Sequence, residues 1–131
     1  MYASRLRGDP GEMYRQVDAN GRVGQASPHA LVTVLYDDLL RALRLAALAC
    51  DRGDVADRSA RVTKALALLF ALEAGLDFTR GGGVADALSR FYRGARDSIM
   101  RASLAGDGQG LRDAASSIGE IADSWRQIGP A

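Results

Sequence analysis

Disulfide chemistry is closed to this chain, because Cys50 is its only cysteine. That residue falls in an apolar stretch, where a reduced thiol packs as a small hydrophobe, and a reducing compartment is expected. Histidine is as scarce: His29 stands alone, so no Ser-His-Asp arrangement can be assembled around a second site. At the first turn of a helix it is expected to be solvent-exposed or locally bonded. Di-iron bundles need Glu-x-x-His pairs, and Glu12, Glu73 and Glu120 have no such histidine beside them. Net charge is nearly absent, with 17 Lys and Arg against 16 Asp and Glu. No long-range field therefore recruits nucleic acid or an anionic membrane.

An unbroken apolar run is missing too. Leu31 to Cys50 is long enough to cross a bilayer, but Asp37, Asp38, Arg41 and Arg44 interrupt it, each costing roughly 2.5–3.5 kcal/mol at the midplane. The N-terminal "MYASRLRGDPGE" has charges and a Pro-Gly turn where a signal peptide needs its apolar region, so neither export signal nor membrane insertion is expected. "GGG" at Gly81 to Gly83 has no Lys-Ser/Thr after it and no strand before it, which argues for a flexible loop over a phosphate cradle. Arg90, Arg93, Arg96 and Arg101 are interleaved with Asp86 and Asp97, the pattern of a solvated face. No catalytic, cofactor or metal residues are assigned.

What remains is helix. Proline occurs only at Pro10, Pro28 and Pro130, and glycines cluster at the breaks. Ser27 as N-cap with Pro28 behind it opens a first helix running to about Arg52. Asp54 is placed to cap a second that continues through Gly75 to Phe78, until Thr79 and the glycine triplet stop it. A third spans about Gly83 to Ala105, with Val84, Leu88, Phe91, Tyr92, Ala95, Ile99 and Ala102 on one stripe; a fourth spans about Gly108 to Ile128, with Leu111, Ala114, Ile118, Ile121, Trp125 and Ile128. No run alternates for long enough to argue a strand. The fold class is all-α, an antiparallel up-and-down four-helix bundle over 27–128. Ahead of it lies a leader over 1–26, read as a short detachable helix around Met13, Tyr14 and Val17 or as a frayed tail, and the whole 1–131 as one domain.

The first two helices carry more apolar surface than one seam consumes. Leu31, Leu35, Leu39, Ala42, Leu43, Ala46 and Cys50 share a face that Tyr36, Leu40 and Ala47 widen toward about 180°. On the second, Val62, Leu66, Leu69, Leu72 and Leu76 form the core stripe, while Ala60, Ala67, Ala71 and Ala74 make a nearly uncharged back. An alanine row needs no partner, alanine being the best helix former, yet it also lets a partner helix or extended segment approach closely. Glu73 lies near the middle of the core stripe and is expected to pair with an arginine or to reach the bundle's end.

Tyr14 with Gln16, "ASPHALVTVLYD" at 26–37, Gly53-Asp54, Leu72 with Leu76-Asp77, "GGGVADALSRFY" at 81–92 and "IADSW" at 121–125 follow one another in an order and spacing that resembles the flagellar secretion chaperone FliS family over nearly the whole chain. The resemblance implies a cytoplasmic protein that binds the disordered C-terminal part of flagellin around a four-helix bundle. Premature polymerisation would be blocked until the export apparatus receives the cargo. By the same resemblance Tyr14 would help cap the groove, with Tyr36, Asp37, Leu76 and Asp77 near the binding surface. Phe91 stands where leucine is frequent in that family, and Ala122 where many members carry arginine. Two other readings stand beside this one: a metal carrier or small enzyme, motivated only by the bundle and Glu73, and a homodimer that satisfies the apolar strip isologously. The oligomeric state, monomer or homodimer, stays open at this point.

Overall fold

Each helix begins where the sequence supplies a side-chain oxygen for its orphan amides. In the computed structural model, which describes residues 27–129, four helices follow one another: α1 Pro28–Arg52, α2 Val55–Ala74, α3 Phe78–Ala105 and α4 Gly108–Ile128. Ser27 Oγ accepts from the Ala30 amide at 3.2 Å. Aspartates cap the other three: Asp54 accepts from Asp57, Asp77 from Thr79 and Arg80, and Asp107 from Gly110. At the far ends of α1 and α3, Gly53 and Gly106 adopt left-handed backbone with φ of 70° and 64°, the conformation that returns amide protons to the last carbonyls.

The second helix is shorter than expected. It stops at Ala74, with Gly75 closing it, because Asp77 caps a new turn and draws Phe78 to Gly81 into the start of α3. Gly82, at φ 51° and ψ −124°, breaks α3 after that turn. Continuous helix therefore resumes at Gly83, the start that the sequence indicated.

Contacts between chain-distant residues set the topology. Arg112 near the start of α4 pairs with Asp51 near the end of α1, and Trp125 near the end of α4 meets His29 at the start of α1, so these two helices run antiparallel. Glu73 on α2 reaches Ser89 and Arg96 on α3. The helices pack in the ring α1, α2, α3, α4, with α4 returning to α1. Leu39, Leu43, Leu69, Ile99, Leu111 and Ile118 fill the centre and are fully buried. Tyr36 and Tyr92 join hydroxyls at 2.5 Å across the diagonal from α1 to α3. Burial pushes the Tyr36 phenol up, with the Tyr92 hydroxyl opposing it.

The wide apolar arc of α1 is real, but none of it is surplus. Ala42 and Ala49 are buried on one flank, and Tyr36, Leu40 and Ala47 on the other. Because α1 packs against both α2 and α4 more extensively than α3 packs against either of them, an arc near 180° is what it buries, where a helix with one dominant seam needs about 100°. Tyr36, Leu40 and Ala47, expected as partner-facing, thus lie inside the bundle. Across this flank the approach is close: a Cβ on Gly108 would stand 3.0 Å from the Ala47 carbonyl oxygen.

Candidate partner-binding site

With the core closed, the surface that can bind anything is what the four helices leave outside. Three of the four seams are stitched by polar contacts. Between α1 and α4, Arg112 Nη1 donates to Asp51 at 3.0 Å, and Arg126 links Asp123 at 2.8 Å with Asp37 across the seam. At one end of that seam the His29 and Trp125 rings stack at 4.5 Å; the indole N–H donates to the His29 carbonyl at 3.1 Å, and His29 Nε2 pairs with the Trp125 carbonyl at 2.7 Å. Arg52 holds the α1–α2 turn through Asp57 at 3.0 Å.

The α2–α3 seam is closed by Glu73. This half-buried carboxylate accepts from Arg96 at 2.5 Å and from Ser89 at 2.8 Å. Burial alone would raise its affinity for a proton, but the bonds from Arg96 and Ser89 and the charges of Arg96 and Arg93 outweigh that and hold it below the usual carboxylate range. The pairing with an arginine is the one the sequence suggested. Arg96 also lies over the Phe70 ring, 4.3 Å from its centroid, although that ring is 58% exposed.

The fourth seam, between α3 and α4, is different: among the described residues no ion pair crosses it. A groove of about 290 Å³ opens there, lined by Arg90, Phe91, Gly94, Ala95, Ser98, Ala114, Ser117 and Ile118. Toward one end of the bundle Val84 is 68% exposed and Ile128 74%. Both were placed on core stripes by periodicity. They face solvent because Val84 lies in the first turn after the Gly82 break and Ile128 ends α4, so the helical repeat outruns the neighbours that could cover it.

Of the residues expected to meet a partner, Ala67 and Ala74 are exposed on the outward side of α2 and Ala71 is half-buried there. Leu76 is half-buried in the following turn, and Asp77 caps α3. These gather at one end of α2. Asp37 does not join them, being engaged by Arg126 on the α1–α4 flank. Tyr14 lies outside the described residues. Phe70 and the α3–α4 groove were missed by the sequence reading. The available signal was Gly94, a glycine inside a helical stripe that ought to prefer alanine. No helix among the described residues is long and apolar enough to cross a membrane.

Comparison with known proteins shows similarity along nearly the whole chain. The family described as "Flagellar protein FliS" matches residues 11–131. The flagellar secretion chaperone FliS of Salmonella typhimurium is 35% identical over 118 residues, covering 89% of this chain and 87% of that protein. Its counterpart in Vibrio cholerae is 29% identical over 119 residues, with 91% and 88% covered. The flagellar secretion chaperone FliSB of Pseudomonas aeruginosa is 27% identical over 128 residues, 98% of each chain.

Proposed function

The chain belongs to the FliS family of flagellar proteins; it is an export chaperone of the flagellum, and we propose that its cargo is the C-terminal segment of flagellin. The reading is one of binding in the cytoplasm, without catalysis. Flagellin helices that would otherwise assemble are covered on the bundle's outer surface, and the export apparatus then takes the cargo over.

The observation that carries it is the position of large apolar side chains outside a finished core. Phe70, Val84 and Ile128 are each more than half exposed, and Leu104 is 83% exposed, while the centre is already filled. Exposed apolar side chains of this size, set beside the small residues of α2, are where a chaperone can bury foreign apolar surface. Ala67 and Ala74 on α2 permit close approach beside Phe70. Leu76 and Asp77 at the end of α2 extend the same surface.

Isothermal titration of the purified chain with a synthetic flagellin C-terminal peptide tests the proposal. Saturable heat and amide shifts at Ala67, Phe70 and Ala74 are expected. Absence of heat and of shifts overturns it. Light scattering on the same samples should show the chain taking up peptide; a dimer indifferent to peptide would support the isologous reading instead.

A further inference from the structure

We propose that α3 is a hinged strap: its leading half, residues 83–96, undocks while its trailing end stays in place, and the contacts of Glu73 to Ser89 and Arg96 are the latch that holds it shut. The device belongs to the fold and does not depend on what the chain carries.

Little apolar surface holds α3 down. Five of its seven buried residues are alanine or serine, which leaves Tyr92 and Ile99 as the large side chains; Leu88 and Phe91 are only partly covered. On α1 five leucines and Tyr36 are buried. The force that docks a helix scales with the apolar area taken from water, and α3 packs less extensively on α2 and α4 than α1 does.

The two ends of the strap differ. At the trailing end α3 turns into α4 through Gly106, and the helices are close there: a Cβ on Gly110 would stand 2.9 Å from that of Ala102. At the leading end Gly82, with φ of 51°, cuts the first turn away from the rest, a Cβ on Gly83 would meet nothing within 4 Å, and Val84 is exposed. A helix fixed at Gly106 and interrupted at Gly82 swings from its leading half.

The polar contacts lie in that half. Glu73 accepts from Ser89 at 2.8 Å and from Arg96 at 2.5 Å, and the Tyr92 hydroxyl meets that of Tyr36. Such bonds are short-ranged and directional, so one small displacement loses them together. By contrast α4 is tied to α1 near both its ends, by Arg112 to Asp51 and by Trp125 to His29. Opening is thereby confined to α3. Once detached, the segment keeps Gly83 and Gly94 but loses its burial, which leaves it a poor helix whose amides exchange with solvent. The Phe70 seam and the groove beside Gly94 both border α3, so one motion alters the width of both.

Native-state hydrogen exchange on the full chain tests this, with the variants Glu73→Gln, Ser89→Ala and His29→Ala. In the parent, amides 88–96 should exchange at least about tenfold faster, relative to their intrinsic rates, than amides 39–47 of α1. Glu73→Gln should speed both sets by the same factor, because the latch is broken in the local opening and in global unfolding alike. Ser89→Ala should do so more weakly, and it carries the comparison if Glu73→Gln does not fold. His29→Ala separates the two openings. The clasp with Trp125 survives the opening of α3, so amides 39–47 should speed up roughly 5–30-fold while 88–96 stay within about twofold. Equal protection of the two segments in the parent overturns the strap, as does His29→Ala accelerating both alike. If Glu73→Gln and Ser89→Ala leave 88–96 unchanged, the latch is overturned.

Discussion

Gly108 and Gly119 lie on the same helix, and replacing each with alanine should have opposite effects. At Gly119 the new methyl enters open space, so the ordinary helix preference applies and stability rises by about 0.5–1 kcal/mol. At Gly108 the same methyl would stand 2.7 Å from Asp51 Oδ1 and 3.0 Å from the Ala47 carbonyl oxygen. The Asp51 carboxylate can swing away, and the exposed pair it then loses with Arg112 is worth little. The Ala47 carbonyl cannot, because it belongs to the helical backbone of α1 at a residue that is itself buried. Accommodation requires α4 to move outward along its most tightly packed flank, an overpacking cost of about 1–3 kcal/mol that exceeds any propensity gain. Urea denaturation followed by far-UV circular dichroism reads both variants. For a domain of this size each kcal/mol moves the thermal midpoint by roughly 3–5 °C. Should Gly108→Ala prove as stabilising as Gly119→Ala, the close α1–α4 approach, and with it the explanation of the wide buried arc on α1, would be refuted.

Three further outcomes are expected. Glu73→Gln should lower stability at neutral pH by roughly 1–2 kcal/mol after allowance for partial exposure. Because the folded carboxyl is held low, that contribution is complete above the unfolded value of about 4.3 and is lost as pH falls through the folded one, so denaturation curves of parent and variant should converge in acid. His29→Ala removes both the Nε2 contact to the Trp125 carbonyl and the ring stack, costing about 1–2 kcal/mol; tryptophan emission should shift to the red, and an unshifted spectrum would contradict the stack. Ala67→Arg, on the exposed side of α2, should leave the melting temperature within a degree or two while reducing peptide affinity in calorimetry.

Much of this fold could be read from the chain because its signals were local. Ser27-Pro28, Asp54 and the Gly106-to-Gly110 cluster mark helix ends by side-chain chemistry, and the ends of α1 and α4 match that reading. The end of α2 did not, since Gly75 inside an apolar repeat looks tolerable until Asp77 is recognised as a cap for the next helix. Burial was harder to assign. The breadth of the α1 arc was evident, but width alone does not say whether the second neighbour is a foreign helix or a later part of the same chain. Tyr36, Leu40 and Ala47 turned out to face α4 and the bundle's centre. The α3–α4 groove left almost no periodic trace, because its floor is made of the same Ala and Ile positions that a closed seam would use; only the glycine between them departs from the pattern.

The reciprocal bonds between His29 and Trp125 fasten the beginning of α1 to the end of α4, so the described chain enters and leaves the bundle at the same pole. Its backbone is nearly circular. A short linker from Gly129 back to Ser27, with new termini opened at Gly82 where the helix is already interrupted, should yield a circular permutant that keeps all four rods and both flanks of α4 and offers its new ends for attachment of a label.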